Sequence, residues 1–361
     1  MQIKELNKEY YPGLTGLRGL AILLVVLYHN FAFIPFLNYG WLGVDLFFVL
    51  SGFLITDILL NSRNAKNYFK NFYARRILRI FPLYYLILIL FIVIFPLIKN
   101  FPLDLRFYIK NQWWYWFYLE NWVFTFRFDG TGAALNHFWS LAIEEQYYLI
   151  WPFIVLFIKN ARVLLSCCLL ALIIIISARL YIWSNYNQYD INLLFLFTRI
   201  DGILIGSMLG IVYYINKGLL RKYFTALILL LAAFNFTVYF LKKNQDFPIW
   251  AIAGYTTFSA IFAMLVYESI KKENKIINVI FTNPILSLLG KYSYGFYIFH
   301  WPVYLVFSKY VYPWIINHTD FADYTSKLIA SVLATLTGLL ISICSYYGFE
   351  RHFLRLKKLF I

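Results

Sequence analysis

Charged residues and cysteines are both scarce in this chain. Charged side chains make up 14% of the 361 residues and cysteine occurs three times, whereas hydrophobic residues make up 62%. A soluble globular domain carries about 25% charged residues, so the composition excludes that class and indicates an integral membrane protein. Cys167, Cys168 and Cys344 all lie in apolar runs, and their spacing forms neither a disulfide framework nor a metal framework. We expect them to be free cysteines that act as small buried hydrophobic residues.

Long apolar runs dominate the chain, and each is about 20 residues long, the length of a membrane-spanning helix. They predict an all-α fold, a polytopic integral membrane protein of about ten transmembrane helices. The first run contains Arg18 and lacks a small-residue cleavage site, so we expect it to remain in the mature protein. The predicted spans cover residues 14–33, 42–60, 80–98, 137–158, 163–183, 191–215, 221–241, 248–268, 285–307 and 327–347.

Basic residues are distributed unequally between the two sides of this arrangement. With a cytoplasmic amino terminus, the cytoplasmic segments hold 20 Lys and Arg residues and the opposite segments hold 8. Because cytoplasmic loops of membrane proteins are enriched in Lys and Arg, this bias predicts that both termini are cytoplasmic. The net charge of +15 therefore does not require nucleic acid as a partner.

The first apolar run carries one arginine and one histidine. On a helix, Arg18 and His29 lie about 20° from the same face and about 16 Å apart along the axis. Ionisable groups inside a bilayer cost about 2.5 to 3.5 kcal/mol each, so they usually face protein or a cavity. We therefore expect this helix to form one wall of a site.

The loop before the third run is the most basic part of the chain, and it ends with Arg75, Arg76 and Arg79 at helical spacing. These arginines are either a topology anchor against anionic lipid headgroups or a binding site for a phosphorylated cytosolic ligand, because guanidinium groups bind phosphate oxygens in pairs.

The second run places Asp45 at the same depth as His29. A neighbouring carboxylate would fix the tautomer of His29 and stabilise its protonated form, as a general base requires. A polar pair that only joins two helices is the alternative. Ser51, deeper in this run, is expected to bond to backbone or to pack closely, with a covalent role as the lesser alternative.

The fourth run opens with polar side chains at helical spacing. His137, Ser140, Glu144 and Tyr148 follow i, i+3, i+7 and i+11, which predicts one polar face. The adjacent carboxylates of Glu144 and Glu145 are not expected to point into one cavity. One of them should bind an arginine or be neutral.

The sixth run contains Arg199 and Asp201, which are two positions apart and cannot pair with each other on a regular helix. From depth alone we expect Arg199 to pair with Glu144, either within a functional site or as a purely structural ion pair. This run also has glycines at every fourth position, which predict close packing against another helix. They are Gly202, Gly206 and Gly210.

Two aromatic-rich stretches complete the pattern. His300 lies near the middle of the ninth run and is either hydrogen-bonded and inert or part of a functional site. The segment from Trp113 to Trp122 is expected to be an interfacial or surface helix, with a sugar-stacking platform as the alternative. No metal is expected, because the histidines show no paired i, i+4 ligand spacing.

Six stretches, in this order, resemble acyltransferase family 3, the membrane-embedded bacterial acyltransferases that O-acylate surface glycans and related acceptors. They are the Arg18-x10-His29 helix, GVDLFFVLSGFLIT (Gly43 to Thr56), YARRILRIFPLYY (Tyr73 to Tyr85), HFWSLAIEEQYYLIWP (His137 to Pro152), TRIDGILIG (Thr198 to Gly206) and KYSYGFYIFHWP (Lys291 to Pro302).

The resemblance implies that an acyl group, commonly acetyl, passes from cytosolic acyl-CoA to a hydroxyl. It implies that His29 is the catalytic histidine, with Arg18 as its motif partner and the Arg75 to Arg79 cluster as the basic cytoplasmic loop. It further implies that residues 1–361 are a single acyltransferase-3-like transmembrane domain in the bacterial inner (plasma) membrane. Many relatives carry an additional periplasmic hydrolase-like domain, which is not expected in this chain.

We therefore predict a membrane-embedded O-acyltransferase that uses acetyl-CoA as donor and a glycan or lipid-linked glycan as acceptor. His29 would deprotonate the acceptor hydroxyl, with Asp45 or Glu144 orienting its imidazole, and coenzyme A phosphates would bind near Arg18 and the basic loop. An acyl-enzyme route through His29 or Ser51 is left open. The residues expected to support the site or bind substrate are Glu145, Arg199, Ser51, His137 and His300.

A different class of function fits the same charged residues. A secondary transporter or flippase of a lipid-linked sugar could use the intramembrane charged groups as a proton relay. The chain shows neither the internal repeat nor the paired Gly/Pro-broken helices that are typical of such transporters.

Overall fold

The computed structural model describes residues 11–126, 134–186, 195–220, 224–241, 254–271 and 274–360. Within these ranges every regular element is a helix and no β-strand occurs, which confirms the all-α fold class. Five helical segments are long and apolar enough to cross a membrane. They are Pro12–Asn30, Pro35–Ser62, Tyr68–Leu97, Ala161–Ile182 and Asp323–Leu359.

The helices are numbered here in chain order. The first part of the chain forms α1 (Pro12–Asn30), α2 (Leu42–Ser62), α3 (Tyr68–Leu88), α4 (Arg106–Lys110), α5 (Gln112–Trp116), α6 (Glu120–Phe126), α7 (Trp139–Phe157) and α8 (Ala161–Tyr186). The second part forms α9 (Leu196–Arg199), α10 (Asp201–Ile215), α11 (Phe224–Leu241), α12 (Tyr255–Lys271), α13 (Lys275–Phe281), α14 (Pro284–Val306), α15 (Tyr312–His318), α16 (Asp323–Ser345) and α17 (Arg351–Leu356).

Each predicted span overlaps one of the longer helices. Parts of the runs 191–215, 221–241 and 248–268 lie outside the described residues. The number of helices that cross the membrane and the location of the termini stay predictions.

Helix α1 lies at the centre of the bundle, with Leu17, Ala21, Ile22 and Val25 fully buried. It contacts α14 backbone to backbone. A Cβ atom on Gly19 would lie 1.9 Å from the carbonyl oxygen of Leu286 in α14. A Cβ on Gly290 of α14 would lie equally close, 1.9 Å, to the carbonyl oxygen of Thr15. No larger residue fits at these distances, so these glycines set the separation of the two helices.

The second close pair is α2 with α10. A Cβ on Gly206 would lie 2.1 Å from the carbonyl oxygen of Val49, and one on Gly52 would lie 1.9 Å from that of Ile203. This confirms the packing role predicted for the glycines of the sixth run. Helix α7 joins the same pair through a hydrogen bond of 2.6 Å between the hydroxyls of Tyr147 and Ser207.

Helix α3 is attached to α14 by the hydroxyl of Tyr294, which donates to the carbonyl oxygen of Ile80 over 2.6 Å. The loop after α2 lies beside the loop after α7, because the guanidinium of Arg63 donates to the carbonyl oxygen of Lys159 over 2.6 Å. These two loops were both expected on the cytoplasmic side, and their contact agrees with that arrangement.

The aromatic segment forms the short helices α5 and α6 and the turn between them. Tyr115 and Tyr118 are buried, whereas Trp113 and Phe117 are two-thirds exposed and their rings stack on each other. The surface position agrees with the predicted surface helix, and its role at a membrane interface or in sugar stacking stays a prediction.

Candidate active site

A cavity lies among α1, α2, α3, α7 and α14 and contains about 810 Å³ not filled by protein atoms, its open mouth included. Aromatic and aliphatic side chains form much of its wall, and hydroxyl groups interrupt them. Its ionisable lining residues, tyrosines aside, are Arg18, Arg76, Arg79, Glu144 and Glu145. An apolar cavity with a few convergent polar groups is the usual form of a small-molecule site.

The cavity arginines form no close ion pair with a carboxylate, although Glu144 and Glu145 line the same cavity. Within the described ranges, no Asp or Glu oxygen lies within 4.0 Å of the guanidinium of Arg18, Arg76 or Arg79. Arg76 lies instead over the ring of Tyr148, with 5.7 Å between its Cζ atom and the ring centroid. Guanidinium groups without a carboxylate partner are available to bind an anion, and their geometry suits phosphate.

The structure separates Arg75 from its neighbours in the basic cluster. Its Nε atom donates to the backbone carbonyl of Phe360, outside the cavity. Adjacent residues on a helix point about 100° apart, so Arg75 and Arg76 face different surroundings. Of the expected donor-binding arginines, the cavity therefore contains Arg18, Arg76 and Arg79.

Both glutamates of α7 line the cavity, so the expectation that only one of them could do so was wrong. The cavity extends across a broad face of this helix, from Ser140 to Tyr148, and reaches neighbouring positions. Glu144 is held by two hydroxyl donors: Ser51 donates to its Oε1 over 3.2 Å and Tyr148 to its Oε2 over 2.7 Å.

Three histidines from different elements lie together beyond this cavity. The ring centroid of His29 in α1 lies 5.0 Å from that of His300 in α14 and 6.5 Å from that of His137 in the turn before α7. His137 and His300 are buried, and His29 is partly exposed. Within the described ranges, no three His, Cys, Asp or Glu side chains are arranged to hold a metal ion.

The hydrogen bonds of this cluster determine the tautomer of His29. A carbonyl oxygen only accepts, so Nδ1 of His300, 2.6 Å from the carbonyl oxygen of Tyr297, carries a proton. Nε2 of neutral His300 is then an acceptor, and Nδ1 of His29 lies 3.0 Å from it. The same Nδ1 lies 3.1 Å from the carbonyl oxygen of Val25 and must donate. The proton of neutral His29 is therefore on Nδ1, and its Nε2 keeps a lone pair for a reaction.

His300 thus occupies the orienting position for which Asp45 or Glu144 was expected. Asp45 forms an ion pair with Arg199 instead, with 2.6 Å between Oδ1 and Nη1, and both side chains are buried. Within the described ranges neither carboxylate contacts His29, and the expected pairing of Arg199 with Glu144 was also wrong. Both charges are buried and each needs a partner of opposite sign, which the ion pair provides for Asp45 and for Arg199.

The ion pair belongs to a larger buried network. Nη1 of Arg199 lies 3.8 Å from Oδ1 of Asp201, and Nη2 of Arg179 lies 2.8 Å from Oδ2 of Asp201. Arg199 and Asp201 approach each other, contrary to expectation, because the chain is not one regular helix there: α9 ends at Arg199 and α10 begins at Asp201.

Sequence reasoning missed two residues of this region. Arg179 is the only charged side chain within α8 after Arg162, and by the rule used for Arg18 it should have been recognised as a buried partner. Tyr297 lies one turn before His300 and contacts both the cavity and the histidines. Its position in a tyrosine-rich stretch gave no separate signal.

The fold and this site together define a helical membrane protein with an arginine-lined cavity next to a histidine cluster. Residues 11–347 match the family described as "Acyltransferase domain". The chain belongs to this family, as the motifs of the sequence had indicated.

Curated relatives agree with this assignment. The chain is 31% identical, over 82% of its length, to "Peptidoglycan O-acetyltransferase OatA" of Listeria monocytogenes, of which it covers 50%. It is 32% identical, over 84% of its length, to "Putative peptidoglycan O-acetyltransferase YrhL" of Bacillus subtilis, again covering 50%. It is 29% identical, over 85% of its length, to "O-acetyltransferase OatA" of Staphylococcus aureus, covering 53%. The chain thus spans about half the length of these relatives, and no solved structure matches it.

Proposed function

We propose that this chain is a membrane-embedded O-acyltransferase that moves an acyl group, acetyl in the first instance, from cytosolic acyl-CoA to a hydroxyl of a cell-envelope glycan. The observation that carries the proposal is the cavity with three arginines free of carboxylate partners, one helical turn from a histidine cluster. Family membership favours this function over the transporter or flippase.

Coenzyme A suits the cavity by charge and by length. Its phosphates would contact Arg18, Arg76 and Arg79, and its extended pantetheine arm would run along α1. Helix α1 is continuous from Pro12 to Asn30, so the axial separation of Arg18 and His29 is about 16 Å. A donor of this shape can place its anionic end at the arginines while its thioester approaches the histidines.

The chemistry proposed for the direct route starts at Nε2 of His29, which takes the proton from the acceptor hydroxyl. The hydroxyl oxygen attacks the thioester carbonyl, the carbon–sulfur bond breaks, and the coenzyme A thiolate leaves and receives the proton from the imidazolium. His300 accepts from Nδ1–H of His29 throughout and keeps Nε2 directed to the reaction.

The names of the relatives suggest the acceptor. The Listeria and Bacillus proteins are named for peptidoglycan, and we propose a glycan of that class for this chain, in the plasma membrane of a bacterium.

Purified protein tests the proposal with acetyl-CoA as donor and peptidoglycan fragments as acceptor. His29→Ala should lower thioester cleavage by at least about 100-fold, the contribution of a positioned general base, while coenzyme A binds with unchanged affinity. Arg18→Ala should weaken that affinity. The matched control is His318→Ala, because His318 is an exposed histidine outside the cavity, and it should retain wild-type turnover. Wild-type turnover in the His29→Ala variant, at normal protein level, would rule out the proposed base.

A further inference from the structure

The donor cavity and the histidine cluster are adjacent but separate. On α14, Ser293, Tyr294 and Tyr297 line the cavity, whereas His300, one turn further, contacts His29 and lies outside the lining. On α7 and the turn before it, Ser140 lines the cavity and His137, one turn earlier, lies outside it.

Ser140 and Tyr297 are thus the cavity residues nearest to the histidines on their two elements. They are hydrogen-bonded to each other. Their hydroxyl oxygens lie 2.5 Å apart. The hydroxyl of Tyr297 also donates to the carbonyl oxygen of His137 over 2.7 Å. Both side chains are nearly fully buried, with 4% and 6% relative exposure, so neither is displaced by solvent.

The ring of Tyr297 lies between two of the histidines and a residue that lines the cavity. Its centroid lies 5.3 Å from the ring centroid of His137, 5.7 Å from that of His300 and 6.2 Å from that of Phe47, which lines the cavity. An acyl group that moves from the cavity toward the histidines along α14 would therefore pass this ring.

We propose that Tyr297 and Ser140 form a gate between the donor cavity and the histidine cluster, and that this gate limits the size of the acyl group that reaches His29. Opening requires the side chain of Tyr297 to rotate away from Ser140 and break their hydrogen bond. A short acyl group needs a small displacement of the ring, whereas each added methylene needs a larger one in a packed interior. The size limit on the acyl group rests on the proposed acyl donor, whereas the existence of the barrier does not.

Thiol labelling in sealed inverted membrane vesicles tests the barrier without any donor. The protein carries His29→Cys in a background of Cys167→Ser, Cys168→Ala and Cys344→Ser, and a small impermeant methanethiosulfonate reagent is applied to the cytoplasmic face. Labelling should be slow with Tyr297 and Ser140 present and at least tenfold faster after Tyr297→Ala. Ser140→Ala, which removes one hydroxyl and little volume, provides a second variant if Tyr297→Ala does not fold. Equal labelling rates in all these folded proteins would overturn the gate.

Donor selectivity gives the second readout in the protein with native His29. Tyr297→Phe and Ser140→Ala should raise the ratio of butyryl-CoA to acetyl-CoA turnover at least tenfold over the wild type. A structural role would change both turnovers equally, and an unchanged ratio would overturn the size limit. Absence of thioester cleavage in the wild type, together with accelerated labelling in the Tyr297→Ala protein, would instead refute the proposed acyl-CoA donor and leave the barrier standing.

Discussion

Nδ1 of His29 lies 3.0 Å from Nε2 of His300, although 271 positions separate the two residues in the chain. One histidine therefore sets the tautomer of the other, a task that enzymes more often give to a carboxylate. A neutral partner leaves the imidazolium of His29 without a paired negative charge, so its proton should pass readily to the leaving thiolate.

Replacement of His300 should disturb the orientation of the His29 imidazole and leave donor binding nearly unchanged. His300→Phe removes the side-chain acceptor for Nδ1–H of His29 and leaves only the carbonyl oxygen of Val25. It should lower kcat by about 10- to 100-fold, as the loss of an orienting partner does for a metal-bound histidine. The KM for acetyl-CoA should change little, because His300 lies outside the cavity. His300→Gln offers a carbonyl acceptor and should recover part of kcat. A rise in KM with constant kcat would show that His300 does not act through His29.

Two adjacent arginines provide a matched pair for the donor site. Arg76 lines the cavity, whereas Arg75 bonds to the backbone near the carboxy terminus. Arg76→Ala should weaken coenzyme A binding about 10- to 100-fold, because a hydrogen bond to a charged group contributes about 1.5 to 3 kcal/mol. Arg75→Ala should bind coenzyme A within twofold of wild type. Calorimetric titration measures both affinities, and an equal loss in the two variants would contradict the assignment of Arg76 to the phosphates.

Loss of the ion pair between Asp45 and Arg199 should lower the stability of the protein and should not act directly on catalysis. Arg199→Leu leaves the buried Asp45 without its partner, and Asp45→Leu leaves Arg199 with only the more distant Asp201. Each variant should cost about 3 to 5 kcal/mol. The double variant removes both charges and should cost less than the sum of the single variants. Thermal unfolding in detergent measures the three proteins. If Asp45 oriented His29 directly, Asp45→Asn would abolish turnover at an unchanged melting temperature, which we do not expect.

The close glycines offer a test of the bundle. Gly206→Ala places a methyl group 2.1 Å from the carbonyl oxygen of Val49 and should destabilise the protein by about 1 to 3 kcal/mol, the cost of overpacking. Gly348→Ala is the control, because an added Cβ there meets no atom within 4 Å. The melting temperature should fall for the first variant alone. Equal melting temperatures would mean that α2 and α10 can separate at no cost.

Most of the helices could be predicted from local sequence, whereas most contacts between side chains of different helices could not. Apolar length predicts a helix such as α1, and a glycine at every fourth position predicts a packing face on α10, because both signals repeat within one segment. The partner of Arg199 could not be predicted, since the helix is interrupted at Ile200, a residue that is neither proline nor glycine. The meeting of His29 with His300 depends on how α1 docks on α14, which no local pattern contains.

The candidate site likewise contains features that local sequence predicted and contacts that it could not predict. Arg18, Arg76 and Arg79 line one cavity, as the basic pattern had suggested, because Arg76 and Arg79 of α3 face the same space as Arg18 of α1. Asp45 had the right depth for His29, but equal depth places two residues in the same layer of the membrane without saying which side of a helix each one faces.

Helix α1 holds Arg18 and His29 at a fixed distance along its axis, because both residues lie on one continuous helix. Gly19 and Gly290 allow α14 to pack so closely on this helix that a Cβ atom at either position would lie 1.9 Å from a carbonyl oxygen. While α1 stays helical, Arg18 and His29 remain about 16 Å apart along its axis. A compact activated acyl compound such as acetyl phosphate would be too short to bind at Arg18 and react at His29 at the same time.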